Sequence, residues 1–273
     1  MLTPLPARHW IEQPRRAKMD FGLKKFAAGA LVALGIFGAG SAAAVPVALE
    51  LALLVDVSGS VDSNEYNLQK QGYVSAFQNA SIQSAIESLG GGIAVTYIEW
   101  SSTTQQAIQV GWTLITDAAS ANAFAAAIAA TSRASSGNTA VGSAINFATP
   151  LFSSNAYEGA RWVVDVSGDG TQNEGANTAA ARDAFLLAAA NAGVAGTING
   201  LPIGDNSLAS WYTNNVIGGP NAFVQQVSTF ADFQSAAAAK IGREITGEVP
   251  EPISLALVGL GLAGIGFSAR RRG

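Results

Sequence analysis

Between residues 45 and 248 the chain alternates short, almost wholly apolar runs with stretches whose apolar residues recur every three or four positions. The first run, residues 49–57, is stopped by Ser58-Gly59-Ser60 and carries Asp56 near its end. It predicts a buried strand that delivers polar groups to a sheet edge. A helix over 62–79 follows, with Tyr66, Tyr73, Val74 and Phe77 on one face, and a shorter one over 81–89 ends at Gly90-Gly91-Gly92. Residues 93–100 predict a second strand, and residues 105–112 an antiparallel edge strand beyond a polar Ser-Ser-Thr-Thr turn. An Ala-rich helix capped by Asp117 or Ser120 runs to Ala130, and a polar loop over 132–138 leads into a helix over 139–152. Residues 161–166 are another apolar run, ending in Ser167-Gly168-Asp169-Gly170. A helix over 177–191, a strand over 194–203, a partly helical segment over 207–216, a turn at 218–220, a short strand over 222–227 and a helix over 230–245 complete the order. Strands alternating with helices predict an α/β fold: a mostly parallel sheet, right-handed crossovers, helices on both faces, and ligands at the carboxyl ends of the strands.

The ends do not fit this pattern. Residues 1–44 read as a leader and signal peptide: Lys24-Lys25, an apolar stretch over 26–38, then Ser41-Ala42-Ala43-Ala44, with cleavage expected after Ala44 and translation starting at Met1 or Met19. Residues 249–273 carry Pro250-Glu251-Pro252, an apolar run over 253–267 that is a short transmembrane helix candidate, and Arg270-Arg271-Arg272. In that order the three features resemble the PEP-CTERM sorting signal of Gram-negative bacteria. The resemblance implies an exosortase as partner, transient anchoring in the inner membrane, and delivery to the outer surface or the extracellular matrix. An ordinary C-terminal anchor would account for the apolar run and the arginines and leave Pro-Glu-Pro as coincidence.

Charge and missing residue types narrow the chemistry of residues 45–248. This segment has six Lys/Arg against sixteen Asp/Glu, a formal charge of −10, which argues against nucleic acid as a partner and favours a cation. The chain has no cysteine, and its one histidine, His9, lies in the leader. Ser-His-Asp and Cys-His nucleophiles are therefore excluded, as are imidazole or thiolate sites for zinc, copper or haem. Without disulfides, stability must come from a buried core.

Asp56, Ser58 and Ser60 in one loop, Thr139 at a helix start and Asp169 after another strand supply five oxygen donors. Carboxylate and hydroxyl oxygens select hard cations, and so small a set suits Mg2+, or Mn2+, better than a calcium cage. The constellation resembles the metal-ion-dependent adhesion site (MIDAS) of von Willebrand factor A (vWA) domains, over about residues 49–246. What the resemblance implies is a Rossmann-like sheet with the metal at its top, held directly or alternately by Ser58, Ser60 and Thr139, and directly or through water by Asp56 and Asp169. A coordination position left open would take a carboxylate from a protein or polymer ligand. The last acid of the motif commonly follows Thr or Ser directly, whereas here Gly168 intervenes and Asp165 competes; Asp169 is preferred because Asp165 lies within the strand.

Plainer readings stand beside these. Asp165 reads as a strand-end residue bonded to backbone, Asp62 and Glu65 as acids favoured at a helix start, and the tryptophans as packing, with sugar binding by Trp211 and Tyr212 as the alternative. For the whole protein the expectation is a non-enzymatic, exported surface or matrix adhesion module. The alternatives are a structural matrix protein whose metal only stabilises the fold, and a metal-assisted hydrolase or phosphotransferase using Asp56 or Asp169.

Overall fold

The computed structural model describes residues 43–247. The strands are β1 (Val45–Val47), β2 (Leu49–Asp56), β3 (Ile93–Trp100), β4 (Gln106–Ile115), β5 (Tyr157–Gly159), β6 (Arg161–Gly168) and β7 (Ala195–Pro202). The helices are α1 (Ser63–Phe77), α2 (Ala80–Ser88), α3 (Ala118–Ala129), α4 (Val141–Ala148), α5 (Thr178–Asn191), α6 (Asn206–Asn215) and α7 (Phe233–Thr246). The central sheet has the order β4-β3-β2-β6-β7, with β4 antiparallel to β3 and every other pairing parallel.

β2 and β3 are buried along their whole length, as their unbroken apolar runs predict for strands covered on both faces. Alternation then divides the core. Leu49, Leu51, Leu53 and Val55 pack with residues of α1, α2, α3 and α7, whereas Ala52 and Leu54 pack with residues of α4, α5 and α6. Each fully buried Leu, Val, Ile or Phe contributes about 1.5–3 kcal/mol. Caps set the helix starts where the polar residues predict them. The Asp62 carboxylate accepts from the Asn64 and Glu65 N–H groups while Glu65 accepts from the Asp62 N–H, and Asp117 and Ser120 cap α3 reciprocally.

Three segments differ from expectation. The predicted helix over 139–152 begins only at Val141 and passes into a 3-10 turn, Thr149–Phe152, where Pro150 cannot donate to a continuing α-helix. Residues 222–227 form no continuous strand; they make isolated bridges, Val224 to Gly200 of β7 and Val227 to Ile203 just beyond it, after left-handed Gly219 and Asn221 have turned the chain. β1 and β5 pair with each other as a small parallel ribbon outside the main sheet. Among the described residues no helix is long and apolar enough to cross a membrane, and the apolar run over 253–267 lies outside them, as do residues 1–42 of the leader.

Candidate functional site

The loops that follow β2 and β6 meet at the carboxyl edge of the sheet, joined by the loop that precedes α4. In the first, the Asp56 Oδ1 accepts a hydrogen bond from the Ser58 N–H at 2.7 Å, so the carboxylate itself shapes the turn. The Ser58 and Ser60 hydroxyls lie 3.1 Å apart, and Ser60 Oγ donates to Asp169 Oδ1 at 2.7 Å, across 109 residues of chain. Thr139 is placed by a reciprocal pair: its N–H donates to Asn173 Oδ1 at 2.9 Å and its carbonyl accepts from the Asn173 N–H at 3.0 Å. Its Oγ1 lies 3.6 Å from where a side chain on Gly170 would begin, in the loop that carries Asp169. Four of the five oxygen-bearing residues form one hydrogen-bonded chain, and the fifth stands beside its far end.

Residues that the motif did not reveal hold this arrangement. Arg133 Nη2 donates to the carbonyls of Val57 and Ser58, each at 2.8 Å, and Gln69 Nε2 donates to the Asp56 carbonyl at 2.8 Å. The Gly59 N–H donates to the Gly137 carbonyl at 2.7 Å, tying the first loop to the one before α4. Glu174 accepts from the Thr103 hydroxyl at 2.6 Å and from Asn138 Nδ2 at 2.5 Å; these bonds hold its carboxyl down at about 2. Arg133, 73 positions from Ser60 in a Ser-rich loop, offered no pattern by which its role could be read.

Asp56 is fully buried, and its second oxygen, Oδ2, has no hydrogen-bond partner among the described residues. Burial pushes its carboxyl up to about 7, against the hydrogen bonds from Ser58 that favour the charged form; the charge of Asp169 adds to the rise. Asp169, half-buried, is also raised, chiefly by burial, with Ser60 opposing and Glu65 adding. Beside Asp56 lies Tyr212 of α6, wholly buried, whose hydroxyl also lacks a partner. Burial and the charges of Asp56 and Asp169 push this phenol well above its usual value, so it stays protonated. This corrects the reading of Tyr212 as part of a sugar platform, since no ligand can reach its ring.

Gly168, the residue that departs from the motif, separates these two groups. A Cβ there would lie 2.7 Å from Asp56 Oδ2 and 2.9 Å from the Tyr212 hydroxyl oxygen. Only glycine permits so close an approach of β6 to the Asp56 carboxylate. Asp165, the competing acid, is not at this edge: it is wholly buried and its Oδ1 lies 2.6 Å from Lys240 Nζ, so its partner is an ammonium rather than backbone. Among the described residues no group of three or more His, Cys, Asp or Glu side chains could hold a metal ion. The set at this edge has two carboxylates and three hydroxyls, a combination proper to hard cations.

Comparison with known proteins agrees with this architecture. The model of a family described as protein of unknown function (DUF1194), which is vWA-like, matches residues 46–249, and that of the PEP-CTERM protein-sorting motif matches residues 248–272. No curated protein matches the chain. Among solved structures it is similar to proximal thread matrix protein 1 from the mussel byssus, at 14% identity and a TM-score of 0.54, over 72% of this chain and 48% of that one. A second structure of the mussel protein, with a zinc-occupied MIDAS motif, gives 14% and 0.53 over 74% and 49%. The pilus adhesin SpaC from Lactobacillus rhamnosus GG gives 15% and 0.51, over 72% of this chain and 30% of that one. The chain spans half or less of the length of these proteins, and at such identities the likeness is one of fold: a Rossmann-like vWA domain.

Proposed function

This chain belongs to the DUF1194 family, and we propose that it is a non-enzymatic binding module in which Asp56, Ser58, Ser60, Thr139 and Asp169 hold a divalent cation, Mg2+ or Mn2+, for the capture of a partner's carboxylate. Its PEP-CTERM motif implies export and a surface or extracellular location, with exosortase processing. The observation that carries the reading is Asp56: a wholly buried carboxylate with one oxygen unpartnered, at the head of a line of hydroxyls ending on a second carboxylate. A bound cation would satisfy that oxygen and offset the desolvation that raises the acid. Two carboxylates balance a divalent charge, so an acidic group can complete the coordination without severe repulsion. The zinc-occupied MIDAS motif of the mussel matrix protein supports the placement of a metal at this edge of the fold, and the pilus adhesin supports a binding role.

Hydrolysis or phosphoryl transfer would need a general base or a phosphate-gripping cation beside the loops. Arg133, which bonds to the Asp-x-Ser-x-Ser loop, is engaged at Nε with the Ser135 carbonyl and at Nη2 with two carbonyls that shape the loop. These features favour a partner or polymer carboxylate as the ligand, with the module acting by adhesion.

The test is calorimetric titration of the purified chain with Mg2+ and with Mn2+, wild type beside Asp56→Ala. Saturable binding in the wild type that is lost in the variant is expected. A carboxylate-bearing partner should then be retained only without chelator. Equal heats from both proteins would remove the metal from this edge and the adhesion reading with it.

A further inference from the structure

At the end of the sheet opposite Asp56 is a recess of about 100 Å3, whose lining includes Arg161, Thr197, Asn199, Phe223, Arg243 and Gly247. That is the volume of roughly three waters. Its two arginines stand out in a segment that carries only six basic residues against sixteen acids. Arg161 Nη2 donates to the carbonyls of Glu244 and Ile245 at 3.0 Å each, capping the end of α7, and the Arg243 guanidinium lies 3.6 Å over the Phe223 ring. Among the described residues neither arginine is within ion-pairing distance of a carboxylate, whereas Arg182 and Lys240 both are.

The chain leaves α7 beside this recess. Gly247 takes the left-handed conformation (φ 68°), its N–H donates to the Arg243 carbonyl at 2.9 Å, and a Cβ on it would lie 3.6 Å from Arg161 Cζ. The next residues are Glu248-Val249-Pro250-Glu251-Pro252, the start of the sorting motif.

We propose that the Arg161–Arg243 recess is the docking site for residues 248–252 of the same chain, with the carboxylates of Glu248 and Glu251 on the two guanidiniums. The tether is one to four residues long, so the acids arrive at high effective concentration without any free ligand. Because β6, β7, Phe223 and α7 all contribute, the recess exists only once the domain has folded. Docking thereby links completion of the fold to the way Pro250-Glu251-Pro252 is presented. The inference does not depend on metal binding, which lies at the other end of the strands.

Hydrogen exchange of the full-length chain in detergent micelles, followed by mass spectrometry of peptides spanning 244–253, tests it. The amides of Val249 and Glu251 are expected to exchange about tenfold more slowly in the wild type than in Arg243→Gln, the scale of one charge-assisted pairing. The Glu248→Gln/Glu251→Gln variant should match that loss. Exchange within α7 reports whether Arg243→Gln has loosened the helix instead. The charge swap Arg243→Glu with Glu251→Arg, which leaves Glu248 for Arg161, should recover protection, which a merely destabilised domain would not. Equal exchange at 249 and 251 in wild type and Arg243→Gln would overturn the proposal. So would protection that survives neutralising both acids, since another group would then fill the recess. Mg2+ calorimetry of Arg243→Gln should be unchanged, which separates failure here from failure of the metal reading.

Discussion

Val55-Asp56-Val57-Ser58-Gly59 and Val164-Asp165-Val166-Ser167-Gly168 are one pentapeptide used twice on neighbouring parallel strands, and the two aspartates have opposite fates. Leu53 pairs with Asp165 and Val55 with Ser167, so the copies are slipped by three residues along the sheet. A slip by an odd number reverses the face that each side chain meets. Asp165 points toward α7, where Lys240 supplies an internal ammonium at 2.6 Å. Asp56 lies beside Gly168 and Tyr212 of α6, and among the described residues it has no ion-pair partner and one oxygen is unpartnered. The same residue type is thus a structural ion in one strand and a candidate ligand in the other, because register and the facing helix differ.

The comparison breaks most visibly at Lys240. Lys240 lies between Asp165 and Glu244, at 2.6 and 2.5 Å, all three wholly shielded from solvent. Lys240→Ala is expected to cost about 3–5 kcal/mol, because it leaves buried carboxylates without their cation. Asp56→Ala should leave the metal-free chain within about 1 kcal/mol of wild type, since it removes an acid that is only half satisfied. Urea unfolding of both variants measures the contrast, and equal losses would refute it.

The next largest effect is on pH. Glu244 is pushed up to about 7 by burial and by the charge of Asp165, against the pull of Lys240 and the hydrogen bond from Asn199. The folded state therefore holds a proton that an unfolded Glu, with its value near 4.5, has released. Its contribution is fully present below about 4.5 and is lost as pH rises through about 7. Glu244→Gln should flatten that part of the unfolding free energy measured between about pH 5 and 8. An unchanged slope would assign the proton elsewhere.

Much of this was legible in the residues. Apolar runs against helical periodicity yielded the five main strands and their helices, and Asp-x-Ser-x-Ser with Thr139 and Asp169 named residues that the fold brings to one edge. Lys240 and Glu244 were not legible: four apart on an Ala-rich helix, they carry no local mark of burial, and only the packing of α7 on the sheet buries them. Tyr212 misled for a related reason, because an aromatic on a short helix does not declare which way it faces. β1 and β5, three residues each, are too short for periodicity to mark, and the register slip between the twin pentapeptides is a tertiary fact that no local pattern contains.

A smaller effect is expected where the two strands touch. Gly168→Ala places a methyl against Asp56 Oδ2 and the Tyr212 hydroxyl, so it should cost about 1–3 kcal/mol and weaken Mg2+ binding in the same protein. Full stability with intact binding would mean that the β6 edge yields easily.

The smallest effect compares two phenols across the sheet. Tyr73 donates to Ser167 Oγ at 3.1 Å on the α1–α7 side, whereas the Tyr212 hydroxyl on the α6 side has no protein partner. Tyr73→Phe should therefore cost about 1 kcal/mol, the net worth of one buried hydrogen bond. Tyr212→Phe should be neutral or slightly stabilising by thermal unfolding, because it removes an unsatisfied polar group from the core. A loss at 212 as large as that at 73 would mean that its phenol, held protonated, donates to Asp56 in solution. The unpartnered oxygen on Asp56 would then be satisfied from within the fold, and the strongest physical reason for a cation at that edge would be gone.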